Sequence, residues 1–157
     1  MFNIEIAEYK MREPIGRIMS KISKSLQYNL QTNLNHLDID RSFYPLWLIY
    51  SQPGMTQQQL ANELGCNKVQ VVRIIDYLSD HGYVDRIQHA DDRRKYELII
   101  TDKTELHINE IKAALEHTSQ AGLRGLTAAQ TNALYNLLYL IQNNLNNINK
   151  NNLKTDE

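Results

Sequence analysis

Cysteine, proline and glycine are all scarce in this chain, and each shortage limits what the protein can be. A single cysteine among 157 residues excludes an internal disulfide and suits a reducing compartment. With three prolines and six glycines, long helices are expected and a turn-rich all-β fold is not. No apolar run approaches the ~20 residues that a membrane-spanning helix needs. The first residues mix acidic with apolar side chains, unlike a signal peptide, so a cytoplasmic protein is expected.

An excess of charge of either sign is also missing. The chain has 17 Lys and Arg against 18 Asp and Glu, for a net charge of −1. Even the stretch 65–101, which the arguments below single out, contains equal numbers of basic and acidic residues. Any nucleic-acid-binding surface must therefore come from the placement of the charges and not from their sum.

Sequence patterns for catalysis and metal binding are absent too. The chain has no Gly-rich phosphate loop, no nucleophile elbow and no paired carboxylates in an apolar setting. No two of its 5 histidines are four residues apart, as ligands on one helix face would be. Cys66 occupies an apolar turn position, where a buried thiol would be inert. We therefore expect no enzyme, no metal site and no cofactor.

Apolar periodicity predicts two helices before residue 53. Apolar residues recur at three- and four-residue steps from Ile15 to Leu34, which indicates one amphipathic helix of about six turns. A second helix should begin near Asp40–Ser42, because Pro45 is tolerated only in a first turn. The sequence Gln-Pro-Gly at 52–54 should end it.

The stretch 56–101 predicts a helix-turn-helix followed by a hairpin. Thr56 and Gln59 form a capping box for a short helix that Gly65 ends. Asn67 is a favourable N-cap for a second helix, which Gly82 closes. Residues 83–88 and 95–100 then alternate apolar and polar side chains, as half-buried strands do.

Two further helices are expected after Thr101, the second beginning at a Thr127–Gln130 capping box. The outer helices carry more apolar stripe than one small unit can cover, which favours a homodimer over a monomeric helical bundle. The expected organisation is an N-terminal dimerisation helix in 1–38, a DNA-binding lobe in 39–101, C-terminal dimerisation helices in 102–148 and a disordered, Asn-rich tail in 149–157.

The outer face of the second helix of the pair is the main candidate for DNA contact. Gln70, Arg73 and Tyr77 are three and four residues apart and are expected to project together. Arginine can read guanine and glutamine can read adenine in the major groove. Lys68 and Asn67 suit a phosphate at the helix N-terminus, and Thr56 is a further candidate contact. The alternative is an ordinary solvated helix face.

The hairpin tip is the second candidate. Arg93, Arg94 and Lys95 stand outside the strands, where a basic loop can enter the adjacent minor groove. Asp92 would repel DNA unless it pairs with a neighbouring arginine and fixes the loop. The alternative is a charged turn that keeps the hairpin soluble.

The motifs in this stretch resemble those of the MarR family of bacterial transcription regulators. The sequence TQQQLANELG, with VVRIIDYLSDHGYVDR after it, is similar to the helix-turn-helix of that family, and DRRKYELIIT is similar to its wing. The resemblance implies a mainly α fold, namely a winged helix-turn-helix with long N- and C-terminal dimerisation helices, about six helices and a β-hairpin wing. Two positions depart from the family pattern, since Ile100 replaces a leucine and Thr104 replaces a glycine.

The resemblance also implies a function. It implies a repressor that binds double-stranded DNA as a homodimer on a pseudo-palindromic operator, with Arg94 in the minor groove and Asp92 orienting the wing. Release by a small aromatic or phenolic effector is implied as well, and a helical protein-interaction module that has lost DNA binding is the alternative. The candidate pocket residues are Arg17, Tyr28, His36, Tyr44, Trp47, Tyr50 and His107.

Overall fold

The computed structural model describes residues 13–88 and 96–152. This part of the chain forms six helices and one antiparallel hairpin. The elements are α1 (Ile15–Asn33), α2 (Phe43–Ser51), α3 (Gln57–Leu64), α4 (Lys68–Asp80), β1 (Val84–Gln88), β2 (Tyr96–Ile100), α5 (Asp102–Gly122) and α6 (Ala128–Asn152). The expected mainly helical winged helix-turn-helix fold is confirmed. No helix in the described ranges is long and apolar enough to cross a membrane.

Capping side chains set where α3 and α6 begin. At α3 the Thr56 hydroxyl accepts the Gln59 N–H and the Gln59 side chain accepts the Thr56 N–H, which is the predicted capping box. The box predicted for α6, between Thr127 and Gln130, is also present. Gly65 ends α3 in the left-handed conformation at φ 59°, which explains why a glycine stands there.

Helix α2 follows the prediction made from its proline. Ser42 precedes its first turn, and Pro45 lies within that turn, where no intrahelical N–H donor is lost. The chain between α1 and α2 turns through Asp40, the only described residue other than glycine with a positive φ, at 51°. A short aspartate side chain tolerates this conformation better than a branched one.

The division of the chain into two compact units falls between Ser119 and Gln120. The first unit contains the hydrophobic core, to which α2, α3, α4 and the hairpin contribute. Leu64 is partly buried at the margin of this core. The fully buried side chains of the core include Ile39, Leu46, Ile49, Leu60, Val71, Ile75, Leu78, Val84, Leu98 and Ile111.

The hairpin is attached through β2 to the segment before α3. The strands pair from Val84 opposite Ile100 to Gln88 opposite Tyr96. The Leu98 N–H donates to the backbone oxygen of Met55, 2.8 Å away, which extends the ladder to the segment before α3. A two-stranded ribbon is marginally stable alone, so this attachment is what holds the wing in place.

The start of α5 is joined to the turn after α4. Thr104 is fully buried, and its hydroxyl donates to the backbone oxygen of Tyr83. The Thr101 hydroxyl donates to the backbone oxygen of Gly82 across 2.7 Å. Thr104 is the position at which the sequence departs from the family glycine, and its buried hydrogen bond gives the threonine a structural role.

Two long helices keep apolar side chains at their surfaces. In the first unit, α1 has no buried residue, and Ile15 and Ile22 are 56% and 54% exposed. The second unit contains α6, where Leu137 and Leu145 are 57% and 55% exposed. Helix α6 continues to Asn152, beyond the expected helix end at residue 148, while 153–157 lie outside the described residues.

Candidate nucleic-acid interface

The residues on the side of α4 opposite its buried face, called the outward line below, differ from the set Gln70, Arg73 and Tyr77 expected from the sequence. Val71, Ile75 and Leu78 are its buried residues. With 3.6 residues per turn, about 100° per residue, Val69, Arg73 and Asp80 lie closest to the opposite side of the helix. All three are exposed, and Val69 is 61% exposed.

Arg73 is the basic residue best placed on this line. Its side chain is exposed and has no ion-pair partner among the described residues. Lys68, also exposed, stands in the first turn, where the unpaired N–H groups of the helix face solvent. A guanidinium at the centre of the face and an ammonium at its N-terminus make this end of α4 suited to an anionic partner.

Gln70 is used in a different way from the one expected. Its side-chain oxygen accepts the Asn67 N–H at 3.1 Å, while the Asn67 side-chain oxygen accepts the Gln70 N–H at 2.9 Å. The two residues therefore form a capping box that the sequence reasoning did not identify, although it did predict Asn67 as the N-cap. The amide nitrogen and the second lone pair of the oxygen remain available to an outside partner, while the capping box sets the orientation of the Gln70 side chain.

Tyr77 does not project with Gln70 and Arg73. Its hydroxyl donates to Asp38 Oδ1 at 2.9 Å, and its ring stacks on that of His81 with the centroids 4.1 Å apart. Partial burial, followed by the hydrogen bond to the Asp38 carboxylate and its negative charge, raises the pKa of Tyr77 to about 12. Tyr77 is thus fixed to the loop between α1 and α2.

A neighbouring arginine neutralises Asp76, an acidic residue beside the outward line. Asp76 follows Arg73 by three residues, and its Oδ1 accepts a hydrogen bond from the Arg86 guanidinium of β1. Both side chains are partly exposed, at 49% for Asp76 and 31% for Arg86. The pair contributes little to stability at such exposure, but it removes a net negative charge from the face that carries Arg73.

The remaining candidate contacts divide into two groups. Thr56 is half-buried, and its hydroxyl and backbone N–H are both bonded to Gln59, so its first role is to cap α3. The candidates at the tip of the wing lie outside the described residues, between the ends of β1 and β2. These are Asp92, Arg93, Arg94 and Lys95.

Two histidines of the expected effector pocket meet at one carboxylate. His36 Nε2 lies 2.9 Å from Glu110 Oε1, and His107 Nδ1 lies 3.8 Å from Glu110 Oε2. His36 belongs to the loop after α1, whereas Glu110 and His107 belong to α5. The three side chains therefore join that loop to α5, and the sequence offered no signal for Glu110 as their shared partner.

The other pocket candidates occur in separate surroundings. Tyr44 and Trp47 stack with their centroids 6.0 Å apart. Arg17 pairs with Glu13 at 2.9 Å in the first turn of α1. An open groove of about 480 Å³ beside α1 and Arg41 is lined by Tyr28 and by none of the other candidates.

Sequence reasoning missed Val69, Asp38 and Arg86. Val69 could have been found by taking the direction opposite to the three buried residues of α4 and asking what lies there. Asp38 and Arg86 could not have been found in this way, because their partners Tyr77 and Asp76 are brought to them by the docking of separate elements.

Comparison with known proteins finds one family model that matches this site. Residues 41–96, which run from just before α2 to the first residue of β2, match the model of the MarR family. The matched range contains α3, α4 and β1 complete, together with the hairpin tip.

Solved structures have the same fold over most of their length. A MarR transcriptional regulator from Methanosarcina mazei Go1 is 24% identical, with a TM-score of 0.76 over 85% of this chain and 97% of that chain. A MarR family regulator from Listeria monocytogenes, complexed with 26mer DNA, is 21% identical, with a TM-score of 0.79 over 85% and 90%. A mutant MarR from E. coli, complexed with operator DNA, is 22% identical, with a TM-score of 0.73 over 82% and 93%.

Proposed function

We propose that this chain, whose fold and residues 41–96 match the MarR family of winged-helix proteins, is a DNA-binding transcriptional regulator of that family. It acts as a homodimer on a pseudo-palindromic operator in double-stranded DNA. The observation that carries the proposal is Arg73, exposed and without an ion-pair partner in the described ranges, on the outward line of the second helix of a helix-turn-helix. Two proteins of the same fold, from Listeria monocytogenes and E. coli, are complexed with DNA.

Helix α4 enters the major groove with its N-terminal half. That half carries Lys68 and Arg73, whereas the exposed Asp80 lies at the far end of the helix. Recognition helices contact base edges with their N-terminal residues, which agrees with this distribution of charge. Lys68 and the first-turn N–H groups serve the phosphate backbone, and Arg73 serves a base edge.

The wing contacts the neighbouring minor groove. Strand pairing runs to Gln88 and Tyr96, so the basic tip follows directly from the ladder that the helices hold. We assign Arg94 to the minor groove, Arg93 and Lys95 to phosphates, and Asp92 to orienting the loop. Arg94→Ala weakens DNA binding while the dimer persists.

The homodimer buries the apolar surfaces that the single chain leaves open. Ile15, Ile18 and Ile22 are 56%, 41% and 54% exposed along α1, and α6 carries exposed Leu137 and Leu145. Apolar stripes of this length are typical of protein–protein interfaces. We assign 1–38 and 102–148 to dimerisation and 39–101 to DNA binding, and the two-fold axis sets half-sites about 10 bp apart.

Two events regulate transcription, namely binding of the dimer to its operator and its release by an effector. The protein represses by occupying the operator, and a small aromatic or phenolic compound releases it. Two features support an effector site near α2 and α5. The Tyr44–Trp47 stack offers a surface for an aromatic ring, and the His36–Glu110–His107 group joins the loop after α1 to α5.

Selection from a random-sequence duplex pool, followed by fluorescence anisotropy over a salt series, tests the proposal. A regulator selects one pseudo-palindrome, and its affinity falls steeply as salt rises, although its net charge is −1. Absence of binding at micromolar dimer and low salt rejects the proposal and leaves the helical protein-interaction module. Sedimentation of the free protein tests the dimer separately.

A further inference from the structure

Val69 is the one exposed large apolar residue of the helix-turn-helix pair, α3 and α4, and it is 61% exposed. A single apolar side chain on a protein surface is ordinary, so the exposure of Val69 alone does not indicate a function. Its position does, because it precedes Arg73 by one helical turn on the outward line of α4. It also lies in the first turn, the part of a recognition helix that meets base edges.

Gln70, the polar neighbour of Val69, is less free than Val69 to contact a base. Reading adenine with both hydrogen bonds requires the side-chain oxygen and the nitrogen of a glutamine at once. The oxygen of Gln70 already accepts the Asn67 N–H, so the capping box sets the orientation of this side chain and leaves one lone pair of the oxygen for a base. Neither Val69 nor Arg73 takes part in that box.

We propose that Val69 reads the methyl group of a thymine in the operator half-site, beside a guanine read by Arg73. This inference rests on the proposed DNA-binding function and specifies the sequence that α4 recognises. A valine side chain has no hydrogen-bonding group, and the thymine methyl is the only apolar group on the major-groove edges of the four base pairs. Its β-branch restricts rotation about χ1, so its methyl groups reach the base already oriented.

Helix geometry fixes how far apart the two bases lie. Val69 and Arg73 are separated by four residues, which is about 6 Å along a helix axis. Successive base pairs are about 3.4 Å apart along the duplex. The thymine therefore lies within about two base pairs of the guanine in each half-site.

Single replacements of thymine by deoxyuridine, which lacks only the methyl group, test this contact in the selected operator. For the wild-type protein, one half-site position weakens binding about fourfold, the value of burying one methyl group. In Val69→Ala the same replacement has no effect, because the partner of that methyl is gone. Val69→Thr, which keeps one methyl, gives an intermediate penalty.

The matched control is Val72→Ala, a valine of the same helix that is half-buried and lies about 60° around the helix from Val69. This variant keeps the full deoxyuridine penalty. Equal penalties in wild-type protein and Val69→Ala at every thymine overturn the inference while operator binding, and so the proposed function, stands. Failure of the wild-type protein to select any duplex rejects both, which separates the two outcomes.

Discussion

The hydroxyl group of Tyr77 donates a hydrogen bond to Asp38, with the two oxygens 2.9 Å apart. This contact joins α4 to the loop after α1, although the two residues are 39 positions apart in the chain. His81 adds to it, since its Nε2 lies 3.3 Å from the second oxygen of Asp38. The helix proposed to read DNA is therefore fixed to a segment that leads out of α1.

The Tyr77–Asp38 bond predicts a pH effect at alkaline values. The pKa of Tyr77 is raised to about 12 in the folded chain, against about 10 for an unfolded tyrosine. The folded state thus holds the phenolic proton more tightly, so this contribution to stability is full below about pH 10 and is lost as the pH rises toward 12. We expect Tyr77→Phe to be less stable than wild type near neutral pH.

The difference in stability between wild type and Tyr77→Phe should shrink between about pH 10 and 12, because only the wild type loses the Tyr77–Asp38 hydrogen bond by ionising. Urea unfolding at fixed protomer concentration measures it, and absorbance of the phenolate gives the pKa directly. Tyr135→Phe, on an exposed residue of α6, is the matched control. A constant difference between wild type and Tyr77→Phe over this range would contradict the prediction.

Arg73→Ala should weaken operator binding without changing the fold. A good arginine contact with a guanine edge contributes about 1–3 kcal/mol, so we expect a loss of about one to two powers of ten in affinity. Lys112→Ala is the control, since it removes the same charge from an exposed residue of α5 that pairs with Glu116. Comparable losses in both variants would show that only total charge matters.

Arg86→Ala should also weaken DNA binding, although we assign Arg86 no base contact. Without its partner, Asp76 presents an uncompensated negative charge on the face that carries Arg73. The second change Asp76→Asn should restore much of the affinity, which a direct contact between Arg86 and phosphate would not allow. Anisotropy titration of both single variants and the double variant gives the coupling.

Thr104→Val should destabilise the first unit by about 1 kcal/mol, the usual net value of one hydrogen bond. Valine keeps the shape of the fully buried side chain but loses the hydroxyl that donates to the backbone oxygen of Tyr83. Thr104→Ser keeps the donor and serves as the control for it. Urea unfolding at matched protomer concentration distinguishes them, and a Thr104→Val as stable as wild type would remove the role given to this bond.

Local signals in the sequence predicted most of the fold. The capping box of Thr56 with Gln59, and Gly65 at the end of α3, lie within one helix, so their spacing identifies them without knowledge of the fold. Asn67 was predicted as the N-cap of α4 in the same way. These interactions join residues close in sequence, and the sequence alone determined them.

The details of the candidate interface were decided by tertiary structure. Tyr77 has a hydroxyl that could face DNA or Asp38, and only the docking of α4 against the loop after α1 selects Asp38. From the sequence, Asp76 is a negative charge that would repel DNA, and only the packing of β1 against α4 shows that Arg86 pairs with it. A side chain on a helix surface has several possible partners, and the packing of distant elements determines which one it meets.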